Sequence, residues 1–61
     1  MTWKVSYEAE VDVGDMVRVY RANRVLTATI VGPTKYEYEL EVRLANGELV
    51  TVHKLNIEAV S

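Results

Sequence analysis

The sequence predicts an all-β domain, a small five- or six-stranded barrel with one short helical turn before the last strand. Three observations predict it. Apolar and polar residues alternate with period two along most of the chain. Turn-forming dipeptides separate the alternating runs. No stretch keeps the 3.6-residue period long enough for an ordinary helix. A chain of 61 residues holds one domain, read as an N-terminal strand over residues 1–12 and a core barrel over residues 13–60.

The elements follow in order. Trp3, Val5, Tyr7, Ala9 and Val11 share one face of a first strand, with Lys4, Ser6, Glu8, Glu10 and Asp12 on the other. After Gly14-Asp15, Val17 and Val19 alternate with Arg18 and Tyr20. Leu26, Ala28 and Ile30 then alternate with Thr27 and Thr29, up to a loop at Gly32-Pro33. Tyr38, Leu40, Val42 and Leu44 point inward between Glu37, Glu39, Glu41 and Arg43. After Asn46-Gly47, Val50 and Val52 alternate with Thr51 and His53. Period two is lost over Lys54-Leu55-Asn56-Ile57, the helical turn, and a last strand follows at Glu58-Ala59-Val60. The expected core is Val5, Val17, Val19, Leu26, Ala28, Ile30, Leu40, Val42, Val50, Val52 and Leu55.

Parity constrains the hairpins. Val42 and Val50 must both face inward, so the loop between their strands has an odd number of residues. A three-residue loop with Gly47 in the left-handed region satisfies this. Val11 and Val17 impose the same odd count around Gly14, and one such register sets Glu10 opposite Arg18 as a cross-strand ion pair. Tyr7-Glu8-Ala9-Glu10-Val11 also echoes Tyr38-Glu39-Leu40-Glu41-Val42, each followed by a glycine turn and an acid. The echo fits duplication of a hairpin-sized unit, and it also fits the general similarity of amphipathic strands built from Val, Glu and Tyr.

Composition narrows the function. With no cysteine and one histidine, a disulfide scaffold and a thiolate zinc site are excluded, and neither a metal nor a cofactor is expected. The lack of cysteine fits a reducing compartment, and the start lacks a basic region followed by an apolar stretch, so a cytoplasmic location is expected. No apolar run approaches about 18 residues, so no membrane span is expected. His53 is the one acid–base group suited to neutral pH. The serines are Ser6 and Ser61, and there is no thiol to activate. The sequence therefore reads as non-enzymatic. The net charge of −2 lacks the basic excess of a general polyanion binder, so a nucleic-acid contact would need a local patch.

Val13-Gly14-Asp15-Met16-Val17-Arg18-Val19 resembles the opening strand of many small barrels. Asn46-Gly47-Glu48-Leu49-Val50-Thr51-Val52 followed by Leu55 resembles the closing hairpin and helical turn of a Src-homology-3-like barrel of the Tudor and KOW type. Where Tudor domains place the aromatic cage that reads methylated side chains, this chain has Val25, Leu26 and Ala45. Residues Tyr38 to His53 are also similar to the strand pair of an oligonucleotide-binding OB fold. In that fold the glycine-aspartate strand would follow the pair, whereas here it precedes it. Gly14-Asp15, Val17-Arg18 and Ile30-Val31-Gly32 resemble type II dihydrofolate reductase, a barrel that works as a tetramer. The active stretch of that family, Val-Gln-Ile-Tyr, is replaced by Val50-Thr51-Val52-His53, so its activity is not carried over.

Arg18, Tyr20, Arg21, Arg24, Lys35 and Tyr36 form the candidate binding site. Arginines hold phosphates and tyrosines stack on bases, and these are the clustered cations with neighbouring aromatics. Glu37, Glu39 and Glu41 form an acidic ladder that keeps a strand soluble or attracts a basic partner. Trp3 closes the bottom of the barrel or enters a subunit contact. The expected function is an interaction module that binds nucleic acid or a protein segment. The alternative is a self-assembling homo-oligomer, or a designed or reconstructed barrel without a natural ligand.

Overall fold

The computed structural model describes residues 1–60. The chain forms β1 (Thr2–Lys4), a 3-10 turn (Ser6–Glu8), β2 (Glu10–Asp12), β3 (Met16–Arg21), β4 (Arg24–Pro33), β5 (Glu39–Leu44), β6 (Leu49–His53), a second 3-10 turn (Lys54–Asn56) and β7 (Ile57–Ala59). β3 to β6 run as an antiparallel meander. β7 then returns to pair with β3, giving a five-stranded sheet in the order β6-β5-β4-β3-β7, while β1 and β2 pair with each other as a separate sheet. The fold is all-β. The expected closure into a barrel is not shown: among the described residues no ladder joins β6 to β7, the two edges of the large sheet.

Alternation places the core. Val17, Val19, Ile30, Leu40, Val42 and Ile57 are fully buried, and Val5, Val11, Ala28, Leu44 and Val52 complete the cluster. Trp3, Ala9, Leu26, Val50 and Ala59 are half-buried against it. Among the described residues no buried polar side chain interrupts this core, so no unpaired group there has to be satisfied. β4 serves the sheet along ten residues. The register with β5 shifts between Ile30 and Gly32, so Val31 is an extra residue that bends the strand.

The β5–β6 hairpin follows the parity argument. Val42 faces Val50. The Gly47 amide donates to the Leu44 carbonyl at 2.8 Å and the Leu44 amide donates to the Glu48 carbonyl at 2.8 Å, enclosing a three-residue loop. Gly47 has φ +92°.

Four expectations are corrected. The first strand is broken: Thr2, Trp3 and Lys4 pair with Asp12, Val11 and Glu10, so residues 1–12 double back on themselves. Tyr7 sits at the reversal with φ 60° and is 88% exposed, not inward. The reversal keeps Trp3 and Val11 on one face, so alternation alone cannot reveal it. β2 consequently does not pair with β3. A tight turn links them, with the Asp15 amide donating to the Asp12 carbonyl and the Asp12 amide donating to the Asp15 carboxylate. Glu10 therefore faces Lys4, while Arg18 faces Glu58. The two halves of the internal echo thus take unlike structures.

Leu55, expected in the core, is 73% exposed, and Ile57 is buried instead opposite Val19. The 3-10 turn rotates the chain, so the inward position falls on the first residue of β7. Tyr38, expected inward, is 52% exposed. It lies before β5, in a turn closed by the Glu39 amide on the Tyr36 carbonyl, and strand parity does not extend to it.

Two predictions follow from this packing. Ile30→Ala should cost about 2–4 kcal/mol, close to the whole margin of roughly 3–5 kcal/mol that so small a core supplies, whereas Leu55→Ala should stay within about 0.5 kcal/mol of the parent. Denaturant unfolding of the two variants measures the difference, and equal losses would invalidate the placement of Leu55. At the hairpin, an added Cβ at Gly47 meets nothing within 4 Å, so only backbone strain opposes substitution. Gly47→Val should lose roughly 1–2 kcal/mol and Gly47→Asn clearly less, because asparagine tolerates left-handed φ. Thermal unfolding of both variants checks the turn.

Candidate functional site

β7 pairs with β3 only at Val17, Arg18 and Val19, and β5 pairs with β4 only from Ala28 onward. The distal part of the β3–β4 hairpin, Tyr20–Val25, therefore projects from the sheet as a two-stranded ribbon. Every residue of it is exposed. At its tip Ala22 has φ 46° and Asn23 has φ 64°, the pair of left-handed residues that a two-residue type I′ turn requires. Asparagine accepts this conformation; alanine is strained in it.

Arg21 and Arg24 are direct cross-strand partners across that turn. Like charges placed opposite each other on a ribbon are destabilising. Among the described residues neither arginine has a carboxylate within ion-pair distance. The tip therefore holds two free guanidinium groups on a strained turn, an arrangement that folding does not require. One side of the ribbon, with Arg21, Arg24 and Leu26, faces the β5–β6 turn at Leu44, Asn46 and Glu48 across an open cleft of about 440 Å³.

Arg18 and Tyr20 differ from the tip. The Arg18 guanidinium donates to the Glu58 carboxylate at 3.1 Å, and the Tyr20 hydroxyl donates to the same oxygen at 2.9 Å. Glu58 thereby neutralises Arg18 and occupies the Tyr20 hydroxyl. The hydrogen bond to Glu58 holds the Tyr20 phenol above its ordinary pKa, because ionisation would break that bond and set two negative charges side by side.

Lys35 and Tyr36 are not gathered with the arginines. They follow the far end of β4, a ten-residue strand, at the opposite end from the ribbon tip, in a molecule whose longest extent is 25 Å. There they belong to a different array. The Lys35 ammonium lies 5.1 Å from the Tyr36 ring centre, Tyr36 stacks on Tyr38 at 5.2 Å, and Tyr38 stacks on His53 at 5.5 Å. His53 Nδ1 accepts the Leu55 amide at 3.1 Å, so the neutral ring carries its proton on Nε2. Trp3 and Lys54 share a second cleft with Lys35 and Tyr36, of about 550 Å³. Trp3 is half-buried against the core opposite Val11.

Sequence reasoning missed Tyr38 and His53 as members of the stack. The spacing Tyr36-x-Tyr38 was the signal for the first, overridden by assigning Tyr38 to the core. The pairing of His53 with Glu39 across the hairpin is as alternation implies. Comparison with known proteins gives no match to a family model, to a curated protein or to a solved structure.

The Tyr20–Glu58 bond generates a prediction. The folded chain keeps the Tyr20 phenol protonated to higher pH than the unfolded chain. Its stabilising contribution is therefore complete below the ordinary phenol range and is lost as pH rises through the raised value. Glu58→Gln should move the Tyr20 titration down toward the ordinary range, followed by NMR to separate it from the other tyrosines. A titration unchanged by Glu58→Gln would show that the bond does not form in solution.

Proposed function

We propose that this chain is a non-enzymatic binding module of Src-homology-3-like type, and that the ribbon tip at Arg21 and Arg24 contacts the phosphate backbone of nucleic acid. The fold reading is supported by the strand order, in which the last strand returns to the first strand of the meander after a 3-10 turn. The functional reading is carried by one observation: two directly opposed, exposed arginines, with no acidic partner among the described residues, on a ribbon that projects from the sheet. A phosphate oxygen bridging the two guanidinium groups relieves their repulsion with charge-assisted hydrogen bonds. The tip supplies this locally, which a chain of net charge −2 needs. The expected site of six residues contracts accordingly. Arg18 and Tyr20 support the base of the ribbon, and Lys35 and Tyr36 belong to the opposite end.

Fluorescence anisotropy with labelled single-stranded RNA at low salt tests the proposal. Arg21→Glu with Arg24→Glu should abolish binding, while Lys4→Glu, on β1, should leave it intact. Two phosphate contacts on a single strand contribute about −1.4 to the slope of log K against log salt. Arg21→Glu alone should weaken binding yet gain about 0.2–1 kcal/mol of stability, since an opposite pair replaces a like pair. Absence of binding by the parent at low salt would end this reading.

A further inference from the structure

Among the described residues β6 forms one unpaired edge of the five-stranded sheet. The Leu44–Glu48 and Lys54–Tyr38 backbone hydrogen bonds fix which residues of β6 face β5. Even-numbered residues bond inward to β5, so the N–H and C=O groups of Leu49, Thr51 and His53 point away from the sheet. Among the described residues no other strand pairs with them. Edge strands are ordinarily protected by charge, proline, a bulge or a covering segment. The β6 sequence Leu49-Val50-Thr51-Val52-His53 has none of the first three among its side chains. The opposite edge, β7, is three residues long, and the Ser6 hydroxyl from the first 3-10 turn donates to Leu55 just before it.

Both faces of the edge specify an occupant. On the inner face Val50 is only half-buried, so the core stops one strand short there. On the outer face Glu41 pairs with Thr51 and Glu39 with His53. Both glutamates lack a cationic partner among the described residues. A residue on a strand added beside Thr51 lies two strand spacings from Glu41, about 9–10 Å, within the combined reach of a lysine and a glutamate side chain. A second copy of this chain fits less well. Antiparallel self-pairing centred on Thr51 would set Glu41 of both copies on one row and bring it no cation.

We propose that β6 accepts an extended segment of another protein as an additional strand, with basic residues alternating with aliphatic ones. The aliphatic residues extend the core over Val50, and the basic residues cross Thr51 and His53 to Glu41 and Glu39. The residues that carry this site, Glu39, Glu41, Thr51 and His53, are not those of the ribbon tip, and the proposal does not depend on nucleic-acid binding.

The test uses a short labelled peptide alternating lysine and valine, followed by anisotropy. It should bind, and a glutamate–valine peptide should not. N-methylation of alternate peptide amides should weaken binding by about tenfold or more, since it removes strand pairing and leaves the charge. Thr51→Pro removes a donor at the free edge without touching a bond to β5, and should weaken binding similarly. Glu41→Lys should reverse the preference between the two peptides. New amide protection in NMR should appear at Leu49, Thr51 and His53. Binding indifferent to N-methylation would reduce the effect to general charge attraction and overturn the proposal. A concentration-dependent dimer that binds neither peptide would overturn it in favour of self-pairing.

Discussion

Val19 lies between Leu26 of β4 and Ile57 of β7, and the sheet depends on that three-strand contact. Without β7 the meander is a run of hairpins in which β3 is an edge strand. With it, β3 becomes an interior strand, and Val17 and Val19 are sealed completely. The core has little to spare. It is built largely from valine, contains no phenylalanine and has no disulfide to limit the unfolded chain. The second 3-10 turn matters because it carries the chain from one edge of the sheet to the other. The Lys54 amide on the Tyr38 carbonyl holds the start of that crossing.

The meander was legible because one face of each strand is wet and the other dry, and period two records that directly. Asn46-Gly47 was legible for a different reason: parity and left-handed φ gave the same loop length. What escaped was any feature that leaves parity intact. The reversal at Ser6–Glu8 returns Val11 to the face of Trp3, so the segment reads as one strand. The exchange of Leu55 for Ile57 escaped because a single 3-10 turn has no periodicity to measure. In the candidate site, the residue types were recognisable but their grouping was not. Arg24 and Lys35 are neighbours along the chain only through β4, and a strand separates its two ends by its full length. Glu58, which engages Arg18 and Tyr20, is 40 residues from Arg18, beyond the reach of local patterns.

Charge is distributed in a way the net value conceals. The arginine pair stands at one end of β4, and Glu39 and Glu41 of β5 lie beside the other, near the aromatic stack. At ordinary ionic strength screening operates over about 8–10 Å. The two regions are farther apart than that, so each acts on its surroundings largely independently. A molecule of modest net charge can therefore present a cationic tip and an anionic strand face without either cancelling the other.

The ladder between β3 and β7 has a consequence for the order of assembly. It joins segments 40 residues apart, and closing so long a loop costs entropy before any contact offsets it. Each hairpin from β3 to β6 needs only a short loop, and each one formed shortens the path left to close. The entropic order therefore runs from the hairpins to the final ladder. Until that ladder forms, both edges of the meander are open and Val17 and Val19 lack a lid. The chain is most exposed to association with foreign strands during that interval, so the step that completes the core also ends its period of greatest vulnerability.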